Sequence, residues 1–221
     1  MGSAPEEITI EMIRESLYSA VVSDALDGRG YRNQCLGVPL PPYTGVNKLV
    51  GRCKTTFWED IDFEDAEPYA LELKAVDACK PDEVLVAAAG GSLRSGIWGE
   101  LLTTASRNTG CVGAIIDGAV RDITPIKAME FPLFARGVSP YDSLHRQRVV
   151  SVDETVEIGG VTIASGDLVV ADEDGIVIVP QEVEEEVVRA AWEKVHAENE
   201  VRDAIRNGMS ATEAFETYGV L

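Results

Sequence analysis

Apolar residues recur at Ile8, Ile10, Ile13, Leu17, Val21 and Leu26, close to helical spacing, and the pattern stops at Gly28. This predicts one or two helices near the start, with Ser23 or Asp24 as the cap between them. The Pro/Gly-rich stretch "YRNQCLGVPLPPYTG" reads as a connection and "KLVGRCKTTF" as a strand. "WEDIDFEDAEP" is an acidic loop, "EPYALELKAVDACKPD" an amphipathic helix stopped by Pro81, and "EVLVAAAGG" a buried strand ending near Gly90. "GELLTTASRNTG" follows as a helix, "CVGAIID" as a second buried strand ending at Asp117, "DITPIKAME" as a short helix with Pro125 in its first turn, and "FPLFARG" as a short strand. Downstream, "RVVSVDETVEIGGVTIASGDLVVADEDGIVIVP" reads as a β-meander, with hairpins at "TVEIGGVTI" and "DLVVADEDGIVIVP". The tail from Gln181 is a long charged helix and then a short one. Its run "EVEEEVV" is a solvated face. The expected class is α/β, and with no repeat or linker the chain reads as one domain over 1–221.

Charge narrows the function. The 221 residues carry 19 basic and 38 acidic side chains, a net charge of −19. Such a surface repels nucleic acid, and no basic run offsets it, so direct DNA or RNA binding is not expected. Cys35, Cys53, Cys79 and Cys111 are widely spaced without a C-x-x-C, and only His145 and His196 could assist them, which argues against zinc. Cys53 and Cys111 sit in apolar runs as small core residues. "MGSAPEEITIEM" lacks the apolar core of a signal peptide, Glu6 occupies the Ser/Thr position of a myristoylation signal, and no apolar run is long enough to span a bilayer. A cytoplasmic protein without membrane contact is expected.

Other candidate motifs fail on inspection. Asp60, Asp62 and Glu64 imitate the start of an EF-hand, but Asp65 replaces its glycine and Leu71 its closing glutamate. Gly90, Gly91 and Gly96 form neither a P-loop nor a dinucleotide fingerprint, and instead suit close approach of backbone to a neighbour or ligand.

The strand–helix–strand unit around Glu100 carries the chemistry. A crossover helix runs antiparallel to the two parallel strands it joins, so its N-terminus lies at their C-terminal edge. Ten helical residues span roughly 15 Å, and six strand residues return roughly 20 Å. Glu100 and the pair Arg121-Asp122 therefore come back to one edge, where open α/β sheets bind ligands. The first-turn N–H groups of Leu101 and Leu102 suit an anion. Arg121 suits a carboxylate or an enolate oxygen. Asp122 suits Mg²⁺ or Mn²⁺, which need only one or two protein carboxylates, and Glu100 suits a water of that ion. The competing reading is structural: the helix dipole alone favours glutamate at a helix start, and adjacent Arg and Asp commonly form a surface pair.

"SDALD", "GYRNQ", "WGELL", "GAIIDGAVRD" and "FPLFARG" together resemble the family shared by the regulator of ribonuclease activity A and the 4-hydroxy-4-methyl-2-oxoglutarate aldolases. The most specific element is the acidic residue, a twenty-residue gap and then Arg-Asp, met by Glu100, Arg121 and Asp122. The resemblance implies a swivelling β/β/α-type fold with helical arms, assembled as a ring-shaped trimer or hexamer, with the active site near a subunit boundary. It implies that Asp122 ligates the metal and Arg121 holds the substrate's oxo oxygen. It also implies that the Leu101 and Leu102 N–H groups bind the carboxylate of a small 2-oxo acid, while Glu100 holds a water on the metal. A glutamate from a neighbouring subunit's C-terminal helix completes the family site; here "HAENEVRDAIRNG" offers Glu198, with Glu200 second. One departure stands out: His145, beside Arg146, replaces the aldolases' substrate-binding lysine, leaving Arg146 or Arg148 as substitutes. The implied activity is a metal-dependent retro-aldol cleavage of a 4-hydroxy-2-oxo acid to release pyruvate, with oxaloacetate decarboxylation alongside. The alternative is a non-catalytic regulator that inhibits a ribonuclease by protein contact.

Overall fold

The structure, a computed structural model, describes residues 5–219, apart from the side chain of Glu200. Four strands lie parallel in the order they occur along the chain. These are β1 (Leu49–Asp60), β2 (Glu83–Trp98), β3 (Gly113–Val120) and β4 (Leu133–Val138). Their crossovers carry α3 (Ala70–Asp77), α4 (Glu100–Asn108) and α5 (Ile123–Ala128). Period-two alternation along β2 explains the layering. Leu85, Ala87 and Ala89 enter the core with Val76 of α3 and Ile126 of α5. Val84, Val86 and Ala88 face the other way, onto the hairpin of β6 (Val156–Ile158) and β7 (Val161–Ile163). The layers are hairpin, main sheet and helices, a mixed α/β arrangement of the β/β/α kind.

The remaining strands do not form a continuous meander. β5 (Gln147–Val152) pairs antiparallel with the C-terminal half of β1. β8 (Leu168–Ala171) pairs with its N-terminal half, and β9 (Ile176–Val179) lies outside β8. One long strand thus serves two partners on the same side. Both predicted hairpins form, but β6–β7 stands as a separate two-stranded sheet.

Near the start, α1 (Ile10–Ser16) and α2 (Ser19–Asp27) pack with α6 (Glu184–Arg206) against β8 and β9 through Leu17, Val21, Leu26, Val170 and Val187. Two helices form, but the break falls at Leu17–Tyr18, so Ser23 and Asp24 lie inside α2 instead of capping it. The capping acceptor comes from elsewhere in the chain. The Asp172 carboxylate accepts the Ser19 N–H at 2.7 Å and its hydroxyl at 2.5 Å. After α6, α7 (Ala211–Tyr218) follows as the expected short helix.

Element ends also shift. α3 stops at Asp77, before Pro81 is reached. β1 takes in Trp58, Glu59 and Asp60, because β5 supplies a ladder there. β3 continues past Asp117 to Val120. β2 does not end near Gly90. Gly90 and Gly91, both at positive φ, turn the chain outward, and it rejoins β3 through Gly96↔Ala119 and Trp98↔Val120.

Candidate functional site

Two crossovers converge where β2 and β3 end. Trp98 closes β2, Gly99 is the N-cap of α4, and the Arg121 N–H returns to the Trp98 carbonyl at 2.9 Å. Asp122 is the N-cap of α5, with φ 57° and ψ 37°, in the left-handed region that Asp tolerates better than most residues. Its side chain makes no bond to its own helix. Instead Oδ2 accepts the Glu100 N–H of α4 at 3.2 Å, placing a carboxylate at the positive end of a neighbouring helix. Two glycines make this approach possible. A Cβ on Gly99 would stand 2.6 Å from Asp122 Oδ2, and one on Gly96 would stand 2.6 Å from the Ser139 carbonyl and 2.9 Å from Arg121 Cβ.

Arg121 is braced from the opposite side. Its Nη2 donates to Asp142 Oδ2 at 2.7 Å, while its Nε lies 3.8 Å from Asp122 Oδ2. Asp142 also accepts the Tyr69 hydroxyl at 2.6 Å and the Leu144 N–H at 2.7 Å. Burial pushes the Asp142 carboxyl up, but Tyr69, Leu144 and Arg121 outweigh it and hold the group below its ordinary value. Tyr69 moves the other way, to about 12, through burial first and then its bond to Asp142 and that charge.

These groups border a cavity of about 300 Å³ lined by Tyr69, Glu72, Leu73, Ile97, Leu101, Leu102, Arg121, Asp122, Asp142 and Ser143, with Gly96 and Gly99. Glu72 is 7% exposed, and its carboxyl is pushed up to about 8 by burial first and then by the Asp142 charge, with Arg121 opposing. Three carboxyl groups and a guanidinium thus meet at a helix N-terminus, an arrangement suited to holding a small anion and moving protons.

Of the residues expected from sequence, Leu101, Leu102, Arg121 and Asp122 line this cavity. Glu100 joins through its backbone N–H, while its carboxylate accepts the Thr104 hydroxyl at 2.9 Å. Glu198 stands apart within the chain, accepting the Tyr18 hydroxyl at 2.7 Å, near Lys194 and Arg202. The Glu200 side chain lies outside the described residues. His145 Nδ1 accepts the Asp65 N–H at 3.1 Å. Arg146 covers the Tyr141 ring and Arg148 the Phe63 ring, so none of these three lines the cavity. Tyr69, Glu72 and Asp142 carry no motif, and sequence reasoning missed them. The surface-pair reading of Arg121 with Asp122 fits poorly, because each has its main partner elsewhere.

A divalent cation suits the donor set. Asp122 keeps one carboxylate oxygen, Oδ1, beyond its bond to Glu100, its side chain is 42% exposed, and a Mg²⁺-type ion retains most of its waters. A cage supplied entirely by protein does not: the described residues contain no group of three or more His, Cys, Asp or Glu placed to hold a metal. Nor, among the described residues, is any helix long and apolar enough to cross a membrane.

Comparison with known proteins gives these positions a context. The family model described as "RraA-like: Aldolase/RraA" matches residues 19–178. A protein of Halalkalibacterium halodurans named "Putative 4-hydroxy-4-methyl-2-oxoglutarate aldolase" is 32% identical over 195 residues, covering 88% of this chain and 87% of the relative. Among solved structures, an uncharacterized protein from Pseudomonas syringae superposes with a TM-score of 0.82 at 27% identity, covering 97% and 99% of the two chains. Streptomyces coelicolor RraAS2, described as an unusual member of the RNase ES inhibitor RraA protein family, gives 0.78 at 28% identity, covering 91% and 98%. With most of its length matched, from α2 through β9, the chain belongs to the RraA-like family.

Proposed function

We propose that the protein is a divalent-metal-dependent lyase that cleaves a 4-hydroxy-2-oxo acid by retro-aldol chemistry, releasing pyruvate, with oxaloacetate decarboxylation as a side activity. The carrying observation is the placement of Arg121 and Asp122 against the N-terminus of α4, inside one cavity. Asp122 would hold Mg²⁺ or Mn²⁺, with Glu100 oriented toward the waters of that ion. When bound, the ion supplies positive charge that polarises the 2-oxo group.

The chain's own groups do the rest. The Leu101 and Leu102 N–H groups, in the first turn of α4, receive the substrate carboxylate. Arg121 holds the oxo oxygen with the donors that Asp142 leaves free, and opposes the negative charge that develops there. Glu100, or Glu198 of a neighbouring subunit, orients a water and receives through it the proton of the C4 hydroxyl. The C3–C4 bond then breaks. Its electron pair enters the enolate of pyruvate, C4 becomes a carbonyl, and a proton returned from the carboxyl through the same water protonates C3. Decarboxylation of oxaloacetate passes through the same enolate without a hydroxyl proton to remove. Assembly as a trimer or hexamer belongs to this proposal, because Glu198 stands apart from the cavity of its own chain and would have to serve a neighbour's.

A second reading has its own support. The Streptomyces relative is described as belonging to an RNase inhibitor family, and the net charge of −19 suits docking on a basic partner. One experiment separates them: pyruvate release from oxaloacetate and from 4-hydroxy-2-oxo acids, with Mg²⁺ or Mn²⁺ and then with chelator. Asp122→Asn serves as the control, since Asn tolerates the left-handed backbone, and Mn²⁺ binding is read separately by electron paramagnetic resonance. Metal-dependent release lost in the variant supports the lyase. Release no faster than metal alone, with no Mn²⁺ bound, refutes it and leaves the regulator.

A further inference from the structure

We propose that Asp142, held by Tyr69, is the residue that positions Arg121 for the charge developing on the substrate's oxo oxygen. The proposal rests on the lyase reading for what Arg121 contacts, while the brace itself stands on geometry. Asp142 Oδ2 takes Arg121 Nη2 at 2.7 Å, and Oδ1 takes the Tyr69 hydroxyl at 2.6 Å and the Leu144 N–H at 2.7 Å. Both carboxylate oxygens are therefore occupied, and these bonds keep the group an anion in spite of burial. Its backbone is fixed as well. One residue earlier the Tyr141 carbonyl accepts the Gly96 N–H at 2.9 Å, and the Ser139 N–H donates to the Val120 carbonyl at 3.0 Å. The loop is thus tied to the ends of β2 and β3, beside Arg121. Tyr69 supplies the last anchor from a strained position. It is the N-cap of α3 at φ 67° and ψ −1°, a left-handed backbone that a bulky side chain rarely adopts. Strain of that kind persists only where the surroundings enforce it, and it gathers at functional sites.

A bound ion and a neighbouring subunit make the brace more necessary. Within the chain, Asp122 Oδ2 stands 3.8 Å from Arg121 Nε. An ion on Asp122 draws that carboxylate's charge to itself and repels the guanidinium, so the contact weakens. A glutamate arriving from a neighbouring subunit competes for the same guanidinium. Asp142 takes part in neither event and keeps Arg121 in place through both. The oxo oxygen gains charge only as the C3–C4 bond breaks, so a correctly placed Arg121 is worth more in the transition state than in the bound substrate. Loss of the brace should therefore lower kcat and leave KM largely unchanged.

The test uses the intact protein and its variants Asp142→Asn, Tyr69→Phe, Arg121→Ala and the double variant of Asp142 and Arg121. In pyruvate release from oxaloacetate with Mg²⁺, Asp142→Asn should lose about ten- to a hundredfold in kcat, with KM within about threefold of wild type. Tyr69→Phe, which keeps the ring, should lose about fivefold in the same direction. Asp142→Asn added to Arg121→Ala should change kcat less than about twofold, because nothing is left to position. A full further loss in that background marks Asp142 as a support of the loop alone and overturns the proposal. A second readout does not depend on turnover. The Nε–H resonance of Arg121, identified by its absence from Arg121→Ala, is followed in ¹⁵N-labelled, metal-free protein. It should exchange slowly with solvent in the wild type and become fast in Asp142→Asn. Unchanged exchange overturns the proposal whether or not the protein is a lyase. Faster exchange in the variant, with no pyruvate release by the wild type above the rate of metal alone, sinks the lyase reading and leaves the brace standing.

Discussion

Replacing Glu72 by Gln removes an acid that the fold holds in its protonated form. Its carboxyl moves from an ordinary value of 4.5 to about 8, chiefly because burial disfavours the anion and then because Asp142 adds like charge. The native state therefore keeps a proton that the unfolded chain has already released. Between those two values the native state binds more protons, so stability falls as pH rises, and the cost is complete above about 8. At about 1.4 kcal/mol per tenfold change in proton affinity, the whole cost is on the order of 5 kcal/mol. Gln has nearly the same shape and does not titrate. Equilibrium urea unfolding at fixed protein concentration should give similar stabilities for wild type and Glu72→Gln near pH 5. The variant should lead by several kcal/mol near pH 9, with most of the change lying between. A stability difference that stays within about 1 kcal/mol across that range would show that Glu72 ionises normally, and the burial argument would be wrong.

Gly99→Ala should displace the Asp122 carboxylate, since the new Cβ would stand 2.6 Å from Oδ2; kcat/KM should drop at least about tenfold and Mn²⁺ affinity should fall with it. Unchanged metal binding would show that the close approach is incidental. Asp142→Asn removes the charge that helps raise the Tyr69 phenol to about 12, so the tyrosinate signal, followed by NMR of labelled tyrosine, should appear at lower pH. Titration with a thiol reagent should show one fast equivalent per native chain, from exposed Cys35, while buried Cys53, Cys79 and Cys111 react only on unfolding.

Much of this architecture was legible along the chain. The continuous apolar runs in "EVLVAAA" and "CVGAIID" foretell strands buried on both faces, and the crossover rule brings Glu100 and Arg121-Asp122 to one edge. That inference survived even though β2 ends at Trp98 instead of near Gly90. Its correct part was direction, which depends on topology. Its incorrect part was length, which depends on whether a neighbouring strand continues the ladder. The α1–α2 break was misplaced for a similar reason: Asp172, far along the chain, supplies the acceptor that no local residue provides.

The sequence by itself determined the element types, the core-facing positions and the meeting of Arg121 and Asp122 with α4, because side-chain periodicity and crossover handedness are local or topological properties. The tertiary structure decided what surrounds that pair. Asp142 reaches Arg121, and Tyr69 reaches Asp142 across 73 residues, from loops whose composition resembles that of any exposed turn. Glu72 looks like an ordinary charged position of an amphipathic helix, and only the packing of α3 against β5 and α4 takes it out of water. Burial and charge at a distance are summed over the whole fold, and no window of sequence contains that sum.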